Sequence, residues 1–275
     1  MFVDTDRSGH IDLVLCREVL RKRPEIRYMV PVHLYGHALD LKALAELRAE
    51  FDLQVVEDCA QAILAESAGV RVGSVGQLAA TSFYPTKNLG ALGDGGAILT
   101  DGEEFDRVVR VFRDYGQSAK YRHDEIGYNS RLDELQAAIL HRVYLPRLRD
   151  WTARRRTIAA QYRAGIGNER IECLPEPGGS VSVHHLYPVL IAEGKAEFLA
   201  YMRSKGIVCG EHYPITIPDQ GALMKGQWEA ATGLDEARRI AKSEVSLPIH
   251  PYLIEEEVIC VIDTCNDWVP DSKLT

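Results

Sequence analysis

Lys87 stands in the run Thr81-Ser-Phe-Tyr-Pro-Thr-Lys-Asn-Leu-Gly90, and Ala91-Leu-Gly-Asp-Gly-Gly96 follows directly. A lysine amine placed after a short β-branched and aromatic strand, in a loop that turns into glycines, is set for covalent chemistry with an aldehyde, provided its pKa is lowered and it faces a cleft. A carboxylate, Asp58, closes a second apolar run, Leu53-Gln-Val-Val-Glu-Asp58. An amine to anchor an aldehyde and a carboxylate to pair with a pyridinium nitrogen are together what pyridoxal phosphate (PLP) requires. Ser82, five residues before the lysine, adds a hydroxyl of the kind that binds phosphate. Taken singly, Lys87 reads as a surface-loop lysine and Asp58 as a cap or turn residue. Their shared position after buried strands is what points to chemistry.

Other site readings are weaker. The glycines of Gly90–Gly96 suggest a dinucleotide fingerprint, but that motif opens a helix, whereas Ala97-Ile-Leu-Thr100 reads as a strand. His184, His185 and His212 lack the carboxylate and spacing of a metal site, so no metal is expected and structural or substrate-contacting roles are. Cys16, Cys59, Cys173, Cys209, Cys260 and Cys265 form no Cys-x-x-Cys pair, which argues against a zinc knuckle or a thioredoxin-type site. A formal net charge of -8 disfavours nucleic-acid binding, and the run Arg154-Arg-Arg156 is expected on a solvated helix face. With no signal peptide and no apolar run of transmembrane length, a cytoplasmic protein without a membrane partner is the default.

The elements that must position these residues follow from periodicity. Tyr28–Tyr35 is a near-continuous apolar run, as in a strand buried on both faces. Leu41–Phe51 repeats apolar residues at helical spacing. Strands follow at Leu53–Val56, Leu78–Tyr84 and Gly96–Thr100. This βαβ order predicts an α/β fold with a mostly parallel sheet, and its ligands belong beyond the carboxyl ends of the strands. Glu103–Tyr115 reads as an amphipathic helix, and 116–128 as a mobile polar loop. A long helix is expected from Asn129-Ser130, with Ser130-Arg-Leu-Asp133 as a capping box, so Asn129 has an ordinary reading as a helix-start residue. Pro146 should kink or break that helix. The division is therefore a large domain over 1–145, then a linking helix and small α+β domain over 146–275.

The strings Pro31-Val-His-Leu-Tyr-Gly36, Val56-Glu-Asp-Cys-Ala-Gln-Ala62, Thr81–Gly96, Gly127-Tyr-Asn-Ser-Arg-Leu-Asp-Glu-Leu-Gln-Ala137, His212-Tyr-Pro214 and Ser246-Leu-Pro-Ile-His-Pro251 resemble the DegT/DnrJ/EryC1/StrS family of PLP-dependent sugar aminotransferases. The resemblance spans almost the whole chain. It implies the type I PLP-dependent aminotransferase fold and a homodimer with active sites at the subunit interface. Lys87 would carry the cofactor and move the proton. Asp58 would pair with the ring nitrogen, Gln61 with the phenolic oxygen and Ser82 with the phosphate. Asn129 would reach the phosphate of the partner subunit's cofactor, and Tyr128, Arg131 and His212 would face the substrate. The implied reaction moves an amino group from glutamate to a nucleotide-linked keto-sugar, with a dTDP-3-keto-6-deoxyhexose the form the Thr81–Gly90 string most resembles.

The resemblance also implies an N-terminal stretch that is not found here, with a Gly-Thr/Ser-x-Ala-Leu phosphate turn and an aromatic residue stacked on the ring. The expectation is a truncated sheet with unpaired apolar edges, including a strand at Phe2–Asp4 separated from the one at Tyr28, and weak cofactor binding. A non-catalytic partner that dimerises with a complete aminotransferase subunit is the alternative.

Overall fold

The computed structural model describes residues 1–223, 226 and 228–270. Helix α1 (Leu13–Lys22) starts where Asp12 accepts from the backbone N–H of Val14 and Leu15. A short strand β1 (Tyr28–Met29) precedes α2 (Leu41–Phe51), which Asp40 caps. Then come β2 (Gln54–Asp58), the hairpin β3 (Glu66–Ser67) and β4 (Val70–Arg71), β5 (Leu78–Ser82) and β6 (Gly96–Leu99). Strands β1, β2 and β5 lie parallel in the order β1-β2-β5-β6, and β6 returns antiparallel. A mostly parallel sheet is thus observed. Leu41, Leu44 and Leu47 of α2 are buried with Leu53 just before β2 and with Val55 and Ala79 of the sheet; each fully buried leucine contributes on the order of 2 kcal/mol.

Helix α3 (Glu103–Arg113) buries none of its residues. The segment expected as a mobile loop instead holds a hairpin, β7 (Gln117–Ala119) with β8 (Arg122–His123). Helix α4 (Glu134–Ile139) begins later than anticipated, and its N-cap Asp133 makes no side-chain cap bond. Ser130 donates its backbone N–H to Arg113 instead of opening a helix, so the capping box does not form. A π turn (Leu140–Tyr144) and a 3-10 turn (Leu145–Arg147) then interrupt the helix at Pro146, as its missing N–H dictates. Helix α5 (Leu148–Gly165) resumes it.

The remaining strands are β9 (Ile171–Cys173), β10 (Ser180–Val181), β11 (Tyr187–Ile191) and β12 (Glu244–Leu247). Strand β11 is central in an antiparallel sheet between β12 and β9, while β10 pairs with β3. Helices α6 (Lys195–Ser204), α7 (Asp235–Ser243) and α8 (Glu255–Asp267) complete the chain. A second buried cluster joins Ile158 and Tyr162 of α5 to Val189, Phe198, Val258 and Trp268.

Three further expectations fail for physical reasons. The run from Tyr28 stops early as a strand because Leu34–Gly36 turns, with Tyr35 at φ +61°. Phe2–Asp4 forms no strand: Phe2 makes a single bridge to Ala230, and Asp4 caps the distant helix α7 by accepting from Glu236 and Ala237. Arg155 is not solvated. It is 6% exposed and donates to the carbonyls of His184, His185 and Ile249. The outer strands of the main sheet do expose apolar side chains, Tyr28 on β1 and Ile98 and Leu99 on β6.

Candidate active site

Asp58 is fixed from both sides of its strand. Its N–H donates to Pro31 O and its carbonyl accepts from His33, while Cys59 N–H donates to Ala80 O. The side chain of Asp58 is half-buried at the carboxyl end of β2, and Oδ1 accepts from Ala60 N–H at 2.9 Å. Oδ2 has no partner among the described residues, so it remains free to accept.

The residue before it holds this corner together. Glu57 is fully buried. Its Oε2 accepts from His33 Nε2 and Gly73 N–H at 2.9 Å each, and Oε1 from Val75 N–H at 2.8 Å and Gly76 N–H at 2.6 Å. Leu39 N–H donates to His33 Nδ1 at 3.2 Å, which leaves the His33 proton on Nε2, facing Glu57. Burial alone would raise the Glu57 pKa; His33 and the backbone donors outweigh it and hold the carboxyl below its ordinary value.

Lys87 follows β5 through a tight turn in which its N–H donates to Tyr84 O. Gly90 must lack a side chain, since a Cβ there would lie 2.4 Å from Pro85 O. Next to Lys87, Asn88 is clamped, donating to Val183 O and meeting His185 Nδ1 at 3.1 Å. The Lys87 amine is half-buried and has no hydrogen-bond or ion-pair partner among the described residues. Burial lowers its pKa, and the charge of Asp58 opposes that shift. The same lysine charge depresses His185, which burial chiefly holds at about 3, and adds to the burial that lowers His212. Lysine, aspartate and both histidines therefore share one electrostatic neighbourhood.

Gln61 and Ser82 border it. Gln61 is buried, with Oε1 accepting from Tyr35 N–H at 2.6 Å and Nε2 donating to Tyr213 Oη at 3.3 Å. Ser82 Oγ accepts from Tyr84 N–H at 3.1 Å, leaving its proton uncommitted. His212 arrives from the C-terminal half: Ser246 Oγ donates to Glu244, so His212 Nδ1 is the donor to Ser246 at 2.9 Å. Tyr128, Asn129 and Arg131 lie on an exposed stretch. Their hydrogen bonds run to Phe112 and Tyr115 and among themselves, and Arg131 lies 5.4 Å from the Tyr115 ring centroid. Sequence reasoning singled out Asp58, Gln61, Ser82, Lys87 and His212. It missed Glu57, Asn88, Tyr213 and Glu244, whose roles come from hydrogen bonds between distant segments.

An amine without a partner, a carboxylate oxygen without a partner and an uncommitted hydroxyl converge on the carboxyl edge of a mostly parallel sheet, which is the donor set of a PLP enzyme. The chain matches the DegT/DnrJ/EryC1/StrS aminotransferase family over residues 1–266 and belongs to it. It is 40% identical over 246 residues to dTDP-3-amino-3,4,6-trideoxy-alpha-D-glucose transaminase of Streptomyces venezuelae, covering 89% of this chain and 64% of that protein. It is also 40% identical to a pleiotropic regulatory protein of Geobacillus stearothermophilus, covering 98% of this chain and 72% of the relative. The fold matches the crystal structure of S. venezuelae DesV in complex with a ketimine intermediate, with a TM-score of 0.90 and 37% identity over 97% of this chain and 71% of that one. A structure of ntda from Bacillus subtilis with bound cofactor pmp matches at a TM-score of 0.82 and 25% identity. The chain thus spans about two thirds of the length of the relatives it matches. Members of this family depend on PLP. No described helix is long and apolar enough to cross a membrane.

Proposed function

We propose that this chain performs the amino-group transfer of its family on a nucleotide-linked keto-sugar, with Lys87 as the residue that carries PLP. The unpartnered, half-buried Lys87 amine opposed by Asp58 carries this reading. Bound PLP would supply an electron sink for the carbon that exchanges its amino group. Lys87 would hold the aldehyde carbon and, once freed, would take a proton as base and return it as acid; its lowered pKa keeps more of the amine in the neutral form that attacks an aldehyde and accepts a proton. Asp58, with an oxygen free to accept, would pair with the ring nitrogen and keep it protonated. Ser82 would donate to the phosphate, and Gln61, fixed by Tyr35 and Tyr213, would bound the phenolic side. His212, held by Ser246 and Glu244, faces the substrate.

Glutamate as donor and a dTDP-3-keto-6-deoxyhexose as acceptor complete the reading, supported by relatives whose names specify dTDP-3-amino sugars. A homodimer in which Asn129, Tyr128 and Arg131 act on the partner's site is part of it. The exposure of Tyr121, Ile126, Tyr128 and Leu135 supports that. The division into 1–145 and 146–275 is also part of the reading, supported by a buried cluster that lies wholly within the second segment. The test is reduction with borohydride in the presence of PLP, followed by peptide mapping. The cofactor should be trapped on Lys87 and lost in Lys87→Ala, and amino transfer from glutamate to the keto-sugar should vanish with it. Trapping spread over other lysines and unchanged in Lys87→Ala would refute the assignment.

A further inference from the structure

Three buried imidazoles, His10, His37 and His184, play no part in the proposed reaction. His37 is 2% exposed and His184 7%. Among the described residues, the Nδ1 of each is buried without a hydrogen-bond partner, as is His10 Nε2. Buried polar atoms without partners are uncommon in a folded protein, and an unseen ion is one recognised reason for them. The His37 and His184 rings meet edge-on at 5.6 Å between centroids, and His10 borders His37 at 6.0 Å. A carboxylate completes the group. Glu176 Oε2 lies 3.8 Å from His37 Nδ1, and one donor atom each from His37, His184 and Glu176 fall within 4.8 Å of one another.

The backbone goes to some length to make this juxtaposition. His184 has φ +42°, a left-handed conformation costly for a residue with a Cβ. Ser182 Oγ accepts its N–H, and Arg155 binds its carbonyl. Gly36, at φ +95°, lies so close that a Cβ would sit 3.0 Å from His184 N and 2.6 Å from His185 N. This close approach sets His37 against His184. On the far side, Arg163 donates to Glu176 Oε1, which turns Oε2 inward. Ligating carboxylates commonly have such an outer partner.

We infer that His37, His184 and Glu176 form a site for a divalent transition metal of the zinc class, separate from the Lys87 site. Two imidazoles and one carboxylate suit zinc and its neighbours, not magnesium or calcium. Four-coordinate zinc with bonds of about 2.1 Å needs donors about 3.4 Å apart. The 3.8 Å between His37 and Glu176 is close to that, and small side-chain rotations bring in His184. The fourth position falls to water. The other group of this kind, His33, Glu57 and Cys59, is unsuitable, because both Glu57 oxygens already accept from His33 and three backbone N–H groups. The ion would tie the turn after β1 to the segment between β9 and β11, making it a structural clamp.

The test is zinc titration of the chelator-stripped full chain against a chromophoric chelator, with cobalt substitution as the spectroscopic readout. One zinc per chain is expected, with visible cobalt bands of a tetrahedral nitrogen and oxygen site and no thiolate charge-transfer band. His37→Gln and His184→Gln should each weaken zinc at least about tenfold, the scale on which even outer-shell changes act. Glu176→Gln, at the rim of the site, should do the same in a chain whose circular dichroism is unchanged, so the outcome does not depend on the buried variants folding. Cys260→Ser, an exposed thiol, should leave affinity unaltered. Failure to bind one zinc, equal affinity in Glu176→Gln, or a thiolate band would overturn the site.

Discussion

Replacing Glu57 by glutamine probes the anchor beneath the candidate site without touching its reactive groups. The carboxylate accepts four hydrogen bonds, two at each oxygen. An amide has a single oxygen, so its NH2 must face two donors whichever way it is turned. If it faces His33 Nε2–H and Gly73 N–H, both lose their acceptor inside the core. Each such loss costs about 1–3 kcal/mol, or about 4 kcal/mol for the two. A neutral group is cheaper to bury than a charged one, which offsets part of this and leaves a net cost of about 3 kcal/mol. Urea unfolding followed by circular dichroism should show a lower midpoint at unchanged slope. The pH dependence supplies the second readout. The folded pKa of Glu57 lies below its ordinary 4.5, so the unfolded state binds more protons as pH falls through that range. The stability Glu57 provides is therefore full above pH 4.5 and is lost as pH drops through the folded value. The gap between wild type and Glu57→Gln should narrow at acid pH. An equal midpoint at pH 7, or a gap that widens with acid, would refute the account of this corner.

Arg155→Ala should destabilise by about 3 kcal/mol or more, since three buried carbonyls lose their donor and a cavity opens; Arg155→Lys should fall between the two in urea. Burial holds this guanidinium at about 10, so it stays charged at neutral pH and the effect should not vary between pH 6 and 8. Competitive acetylation across pH should find Lys87 reacting at lower pH than exposed lysines. Because Asp58 opposes the lowering, Asp58→Asn should move the Lys87 midpoint lower still. A shift upward would show that the two side chains do not interact.

Much of this was legible in one dimension because it rests on local periodicity. The helix at Leu41–Phe51 was visible in its apolar spacing, and the strand ends at Asp58 and Ser82 in short apolar runs closed by polar residues. Pro146 announced its own break. The errors were of another kind. Arg154–Arg156 looks like a solvated basic run, yet Arg155 is buried because backbone carbonyls from two distant segments converge on it. Ser130–Asp133 has the form of a cap, yet Ser130 is committed to Arg113.

The residue types at Asp58, Gln61, Ser82 and Lys87, and the strands that carry them, were determined by the sequence itself, because side-chain chemistry and 2- or 3.6-residue periods are properties of neighbouring positions. Tertiary structure alone decided which groups are left without partners. The free Asp58 oxygen, the saturated Glu57 and the uncompensated imidazoles of His37 and His184 depend on donors that arrive from far along the chain. Burial and hydrogen-bond satisfaction are set by that arrival, and no spacing in the sequence encodes it.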